Sequence, residues 1–186
     1  TVNAVVTPAF NGLPNPTVCQ NENVSALPTT SVEGIAGTWS PALSTATVGA
    51  TIYTFTPDAG QCANSFPFTL TVNPTITAVE ITGNCVDIEY IVEATPVSGS
   101  FDPNAVTYAW TDSSGTPIGN GTSKLNVSAL NLSTFPATVN LTVTNGSGCS
   151  IQEPYIVQTD FCQIPKGVSP NGDGKNDTFD LSGLNP

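Results

Sequence analysis

The run Ser169-Pro170-Asn171-Gly172-Asp173-Gly174-Lys175-Asn176-Asp177-Thr178-Phe179-Asp180 carries oxygen side chains at its first, third, fifth, ninth and twelfth positions and a glycine at its sixth. That is the ligand spacing of an EF-hand-type calcium loop. Ser169, Asn171, Asp173, Asp177 and Asp180 would supply side-chain oxygens, Lys175 its main-chain carbonyl, and Gly174 the sharp turn between them. Hard oxygen ligands select calcium over a transition metal. Ser169 stands where an acid is usual, and Asp180 is shorter than the bidentate glutamate that normally closes such a loop, so the expected affinity is weak. Asn-Gly and Asp-Gly are also the commonest hairpin dipeptides, and no helical pattern flanks the run, so a polar turn explains the same residues.

Nucleophile-and-base catalysis finds no support elsewhere. The chain has no histidine, and Lys124, Lys166 and Lys175 sit in polar, turn-rich sequence where no lowering of an amine pKa is expected. Asp87, Glu89 and Glu93 superficially resemble a carboxylate pair, but they alternate with Val86, Ile88, Tyr90 and Val92 and so describe the wet face of a strand. Trp39 and Trp110 have the type needed to stack on sugars. Each lies in register with apolar neighbours, which favours core packing. Sequons at Asn23, Asn120, Asn126, Asn131, Asn140, Asn145 and Asn176 are as common as an Asn- and Thr-rich chain produces. The chain is therefore read as non-catalytic.

Charge narrows the partners. Fourteen acidic residues against three lysines and no arginine give a net charge of −11. Nucleic acid and anionic membrane surfaces both require clustered cations that this composition lacks. No apolar run approaches the roughly 20 residues that cross a bilayer, and no signal peptide opens the chain. Thr1 falls inside a β-prone run, so the sequence reads as a piece of something longer. Five cysteines in a loop-rich, small-domain chain point to an oxidising compartment.

The elements that would position these residues are strands. With 16 glycines, 16 prolines and no methionine among 186 residues, tight turns and short strands are favoured over helices. Thr1-Val2-Asn3 recurs as Thr71-Val72-Asn73, a repeat long enough for one sandwich per unit. Phe66, Phe68, Leu70 and Val72 alternate with polar positions, with Tyr53 and Phe55 nearby; Val106, Tyr108 and Trp110 form a second inward set. Val139, Leu141 and Val143 lead into the hairpin signal Asn145-Gly146-Ser147-Gly148. The expectation is an all-β chain of tandem immunoglobulin-like β-sandwiches: residues 1–73, residues 74–160, then the start of a further β-rich domain at 161–186. Each unit places one cysteine near its start and one before its last strand. Bridges Cys19–Cys62 and Cys85–Cys149 are thus expected, each stabilising its unit by about 2–4 kcal/mol, with Cys162 left over.

Val168 through Phe179 resembles the opening of the type B C-terminal sorting domain of Bacteroidetes proteins, also called the gliding-motility-associated C-terminal domain. Ala26-Leu27-Pro28-Thr29-Thr30-Ser31, Gly37-Thr38-Trp39-Ser40-Pro41 and Tyr53-Thr54-Phe55-Thr56-Pro57 resemble the repeats of giant SprB-like gliding adhesins. The second unit is similar to PKD or Ig-like modules through Val106-Thr107-Tyr108-Ala109-Trp110 and Val143-Thr144-Asn145-Gly146-Ser147-Gly148-Cys149. This resemblance implies a cell-surface, outer-membrane-associated adhesin exported by the type IX secretion system and carried by the gliding machinery. It implies that the terminal region is recognised by the translocon and by an outer-membrane barrel of the PorP/SprF family. Pro170, Asn171, Gly172, Asp173, Gly174, Asn176, Asp177 and Phe179 are the residues expected to make that contact. A sorting domain of this type normally continues for several strands beyond Pro186. The alternative is a polysaccharide-binding accessory module of a secreted hydrolase sharing the export signal, and a glycan or other surface ligand could be gripped by regions outside this chain.

Overall fold

The computed structural model describes residues 4–160 and 162. Among these residues the chain is all-β, with eleven strands and one short 3-10 turn. It divides into two compact units, Thr1–Thr75 and the residues from Ile76 onward.

In the first unit, β1 (Thr17–Cys19), β2 (Gly37–Ser40), β3 (Gly49–Pro57) and β4 (Phe66–Asn73) lie in one sheet in the order β1-β4-β3-β2. The period-2 pattern decides which face is wet. Tyr53 and Phe55 of β3 and Phe68, Leu70 and Val72 of β4 are buried, while Ile52, Thr56, Pro67 and Thr69 are exposed on the opposite side. The register sets Trp39 opposite Phe55 and Phe55 opposite Phe66, a row of aromatic rings across three strands. Phe10 caps it, its ring centroid 4.8 Å from that of Phe55 and 5.1 Å from that of Trp39. The described strands of this unit form a single sheet, and its second layer comes from loops: Leu13, Val24, Leu27 and Leu43 pack on the buried face with Val18 of β1. β1 runs parallel to β4, so Cys19 lies level with Asn73 at the far end of β4.

The second unit is a two-sheet sandwich. β5 (Val79–Val86), β6 (Glu89–Pro96) and β9 (Lys124–Asn126) form one sheet in the order β5-β6-β9. β7 (Val106–Asp112), β8 (Pro117–Ile118), β10 (Ala137–Asn145) and β11 (Ser150–Val157) form the other, in the order β11-β10-β7-β8. Between them lie Val92 and Ala94 of β6, Leu125 of β9, Trp110 of β7 and Val139, Leu141 and Val143 of β10. Fully burying side chains of this kind is worth about 1.5–3 kcal/mol each, and the fully buried positions of β10 are all apolar. Val127 and Val157 complete the core, and the 3-10 turn Ser128–Leu130 follows β9. The Asn145–Gly148 segment joins β10 to β11 with Thr144 opposite Ser150, as its composition predicts.

The expected strand from Val86 to Glu93 is corrected. Val86 pairs with Glu89, so Asp87-Ile88 is a two-residue hairpin turn, with Asp87 at φ 55°. Asp is among the few non-glycine residues that tolerate the left-handed region, and it makes the turn here without an adjacent glycine. Val86 and Ile88 are consequently exposed, and only from Tyr90 and Val92 onward does the apolar alternation point inward.

Candidate functional site

The calcium residues Ser169, Asn171, Asp173, Lys175, Asp177 and Asp180 lie outside the described residues. So do Pro170, Gly172, Gly174, Asn176 and Phe179 of the expected partner contact. Among the described residues, no three histidine, cysteine, aspartate or glutamate side chains gather as a metal site would require. The carboxylates of the second unit are dispersed: Asp87 occupies the hairpin turn, Glu89 opens β6, and Glu93 lies opposite Lys124 at 3.3 Å. Both partners of that ion pair are largely exposed, so it contributes at most about 1 kcal/mol.

The two tryptophans are engaged within the fold. Trp110 is 1 % exposed, and its indole N–H donates to the Thr122 carbonyl at 3.0 Å. Trp39 is half-buried in the aromatic row, and its N–H donates to the Pro28 carbonyl at 2.7 Å. A stacking platform needs an exposed ring face, which Trp110 lacks.

The cysteines depart from the expected pairing. Cys62 is a free, exposed thiol, so the Cys19–Cys62 bridge is corrected. Cys19 lies level with Asn73 while Cys62 precedes Phe66, placing them toward opposite ends of β4, on the order of 20 Å apart at about 3.3 Å per residue. A disulfide spans about 4.4–6.8 Å between Cα atoms. Cys85 pairs with Cys162 across 5.5 Å, so Cys85–Cys149 is corrected too. The hydroxyls of Tyr90 on β6 and Tyr155 on β11 meet at 3.1 Å, which puts the far end of β11 beside the end of β5 that carries Cys85. Cys149 precedes β11 and lies at the strand's other end. Cys19 and Cys149 are each disulfide-bonded.

What the structure assembles is a junction at the hairpin end of β5 and β6. Cys85 holds Cys162 covalently, and the Ser128 hydroxyl accepts the Tyr90 N–H at 2.9 Å while donating to the Asp160 carbonyl at 3.2 Å. The chain leaving β11 is thereby tied to β5 and β6 at two points. Gly83 leaves room for this pair: a Cβ at this position would meet the hydroxyls of both Tyr90 and Tyr155 and force the rings to shift. Burial, reinforced by the Tyr155 hydroxyl, pushes the Tyr90 phenol up to about 12. Beside the junction is a groove of about 430 Å³ lined by Val86, Ile91, Ala129 and Leu130 with Asn120, Thr122, Lys124 and Asn126. A second hollow, of about 490 Å³, lies near Asp112, Ile118, Leu132 and Thr134.

Two other carboxylates are loop fasteners. The Asp112 carboxylate accepts from the Ser114 hydroxyl at 2.6 Å and from the Thr116 N–H at 2.9 Å, and these bonds hold its pKa below the usual range. The Glu33 carboxylate, likewise lowered, accepts the Ala9 N–H at 3.0 Å and the Ser31 hydroxyl at 2.8 Å. Tyr90, Tyr155, Gly83 and Ser128 carry no sequence motif. Cys162 was visible as a cysteine, but its partner is a property of the fold.

Disulfide-bonded cysteines indicate an oxidising, secreted or extracellular environment. Among the described residues no helix is long and apolar enough to cross a membrane. No protein-family model matches the chain, and no curated protein matches it either.

Proposed function

We propose that the chain is a non-catalytic part of a cell-surface adhesin, in which the two β units act as a spacer and residues 161–186 open a sorting domain read by the type IX secretion machinery. On this reading the terminal run docks on the translocon and on a PorP/SprF-family barrel, and the adhesin serves gliding motility. The observation that carries it is the run Val168–Phe179 following directly on a sandwich to which Cys162 is covalently fastened. Support for an Ig-like identity of the second unit comes from its strand order, three strands over four with the connections β6 to β7, β8 to β9 and β9 to β10 crossing between sheets. Against the accessory-module alternative, Trp110 is 1 % exposed and offers a sugar no ring face. Calcium held by Ser169, Asn171, Asp173, Asp177, Asp180 and the Lys175 carbonyl would stiffen the segment, and no part of the spacer role depends on it.

The test is surface display in a type IX-competent host. Replacing Asp173 and Asp177 together by alanine should reduce display severalfold while the upstream units keep the circular dichroism and thermal midpoint of the parent. Undiminished display of that variant would refute the address-signal role.

A further inference from the structure

The sequence holds four Asn-Gly pairs, at Asn11, Asn120, Asn145 and Asn171, and the first three lie among the described residues. Such a pair is open to a spontaneous reaction, because glycine has no Cβ to shield its main-chain nitrogen from the asparagine side chain. We infer that Asn11-Gly12 is a self-modifying site, at which Asn11 deamidates through a cyclic imide and the isoaspartyl product loosens the first unit. In the first step the Gly12 nitrogen loses its proton to hydroxide and bonds to Asn11 Cγ. The Cγ–Nδ2 bond breaks, and ammonia leaves with a proton taken from water. Water then opens the imide. Cleavage at Cγ gives aspartate, and cleavage at the main-chain carbonyl gives isoaspartate, in which the chain runs on through Cβ and Cγ.

The structure separates the three pairs. Asn11 and Gly12 are exposed in a bend, and neither the Asn11 side chain nor the main chain of either residue has a hydrogen-bond partner among the described residues. Nothing lies within 4 Å of where a Cβ on Gly12 would project. Asn145 is the opposite case. Its carboxamide oxygen accepts the Ser147 and Cys149 N–H groups, each at 3.0 Å, and its own N–H donates to the Cys149 carbonyl at 2.9 Å. The two bonds on the oxygen must break before Cγ can turn toward the Gly146 nitrogen. Asn120 lies between these extremes, since its oxygen takes only the Thr122 hydroxyl, at 2.9 Å, and that hydroxyl also reaches the Lys124 carbonyl. The flanks of Asn11 give the product its effect. Phe10 packs its ring 5.1, 4.8 and 5.3 Å from those of Trp39, Phe55 and Phe66, while Leu13 packs on the buried face of the sheet and Pro14 is buried. One more carbon in the main chain between these anchors cannot leave both in place, because a packed interior has little slack.

The experiment ages the full chain at mildly alkaline pH, in buffer and in urea, and follows each Asn-Gly peptide by mass spectrometry after peptic digestion in acid. Electron-transfer fragmentation distinguishes isoaspartate from aspartate. In the folded chain Asn11 should convert first and Asn145 last, the two rates differing by about tenfold or more, since each hydrogen bond on the Asn145 oxygen slows its reaction severalfold. In urea the rates should draw together, because those bonds are gone and the reacting pair is the same. Protein converted at position 11 should unfold at a lower urea midpoint than fresh protein. Asn11→Gln, whose longer side chain closes the imide far more slowly, should age without that shift. Conversion of the folded chain led by Asn120 or Asn145 would overturn the site, and an unchanged midpoint in protein carrying isoaspartate at position 11 would overturn its effect on the first unit.

Discussion

Replacing Gly37 by alanine should destabilise the chain, although the backbone at this position accepts any residue. Gly37 opens β2 opposite Pro57 and is not among the glycines of positive φ. At a conformation open to both residues, alanine in place of glycine normally stabilises by about 0.4–1 kcal/mol through the unfolded state. Here a Cβ would fall on the Thr56 carbonyl oxygen and against the edge of the Phe55 ring. Neither can withdraw cheaply. Thr56 sits opposite Thr38 in the β2–β3 ladder, and Phe55 is 0 % exposed with the rings of Phe10 and Trp39 at 4.8 and 5.4 Å. Overpacking of this kind costs about 1–3 kcal/mol and outweighs the entropic gain, so a net loss of about 1–2 kcal/mol is expected. Gly146 is the control, since its φ is not positive either and nothing lies within 4 Å of the added carbon. Alanine there should be neutral or stabilising by up to about 1 kcal/mol. Urea unfolding followed by circular dichroism reads both changes in the midpoint at unchanged slope. A Gly37→Ala chain as stable as the parent would refute the packing described for the aromatic row.

Acid should weaken the fold through Glu33 and Asp112. Hydrogen bonds to Ala9 and Ser31, and to Ser114 and Thr116, make both carboxyls hold their protons less tightly folded than unfolded, so the stability they contribute is present above the ordinary carboxylate pKa of about 4 and is lost as pH falls below it. Urea midpoints between about pH 2 and 6 should fall on acidification in the parent and flatten in Glu33→Gln, Asp112→Asn; a flat parent profile is the contrary result. At the alkaline end the sign reverses, because Tyr90, raised to about 12, stabilises the fold fully below about pH 10 and loses that contribution as pH climbs toward 12. Tyrosinate absorbance should show Tyr90 titrating late, with Tyr108 also raised by its burial and by Asp102, and the Tyr90 midpoint should drop in Tyr155→Phe yet stay above the free value because burial, the larger cause, remains. Titration of every tyrosine in one step near 10 would refute this.

Strands whose two faces differ were legible in the sequence. Phe68, Leu70 and Val72 of β4, and Val139, Leu141 and Val143 of β10, are buried as their alternation requires, because one face of each strand meets the core and the other meets water or loop. The β5–β6 hairpin was not legible: Asp87-Ile88 lacks the glycine that normally announces a two-residue turn, and the apolar residues on either side mimic one continuous strand. Nor was the second layer of the first unit, since Leu13, Val24 and Leu27 come from loops with no period to read. The junction built by Ser128, Tyr90 and Tyr155 depends on residues more than 30 positions apart, and neither a hydroxyl nor a ring declares its partner in one dimension.

The cysteine pairing shows why order along the chain misleads in a sheet protein. Each strand carries the chain from one end of a sheet to the other, so two cysteines can meet only if they finish at the same end. Cys85 lies at the hairpin end of β5, where Tyr155 also arrives after the length of β11. Cys149 precedes β11 and is one strand short of that end; Cys162 follows β11 and has made the crossing. Cys62 fails for the same reason, lying before β4 whereas the neighbour of Cys19 is Asn73 at its close. With eight-residue strands the penalty for the wrong end is on the order of 20 Å, more than any side-chain rotamer can recover, so the number of strand crossings between two cysteines selects the bridge more strongly than their placement within a repeat.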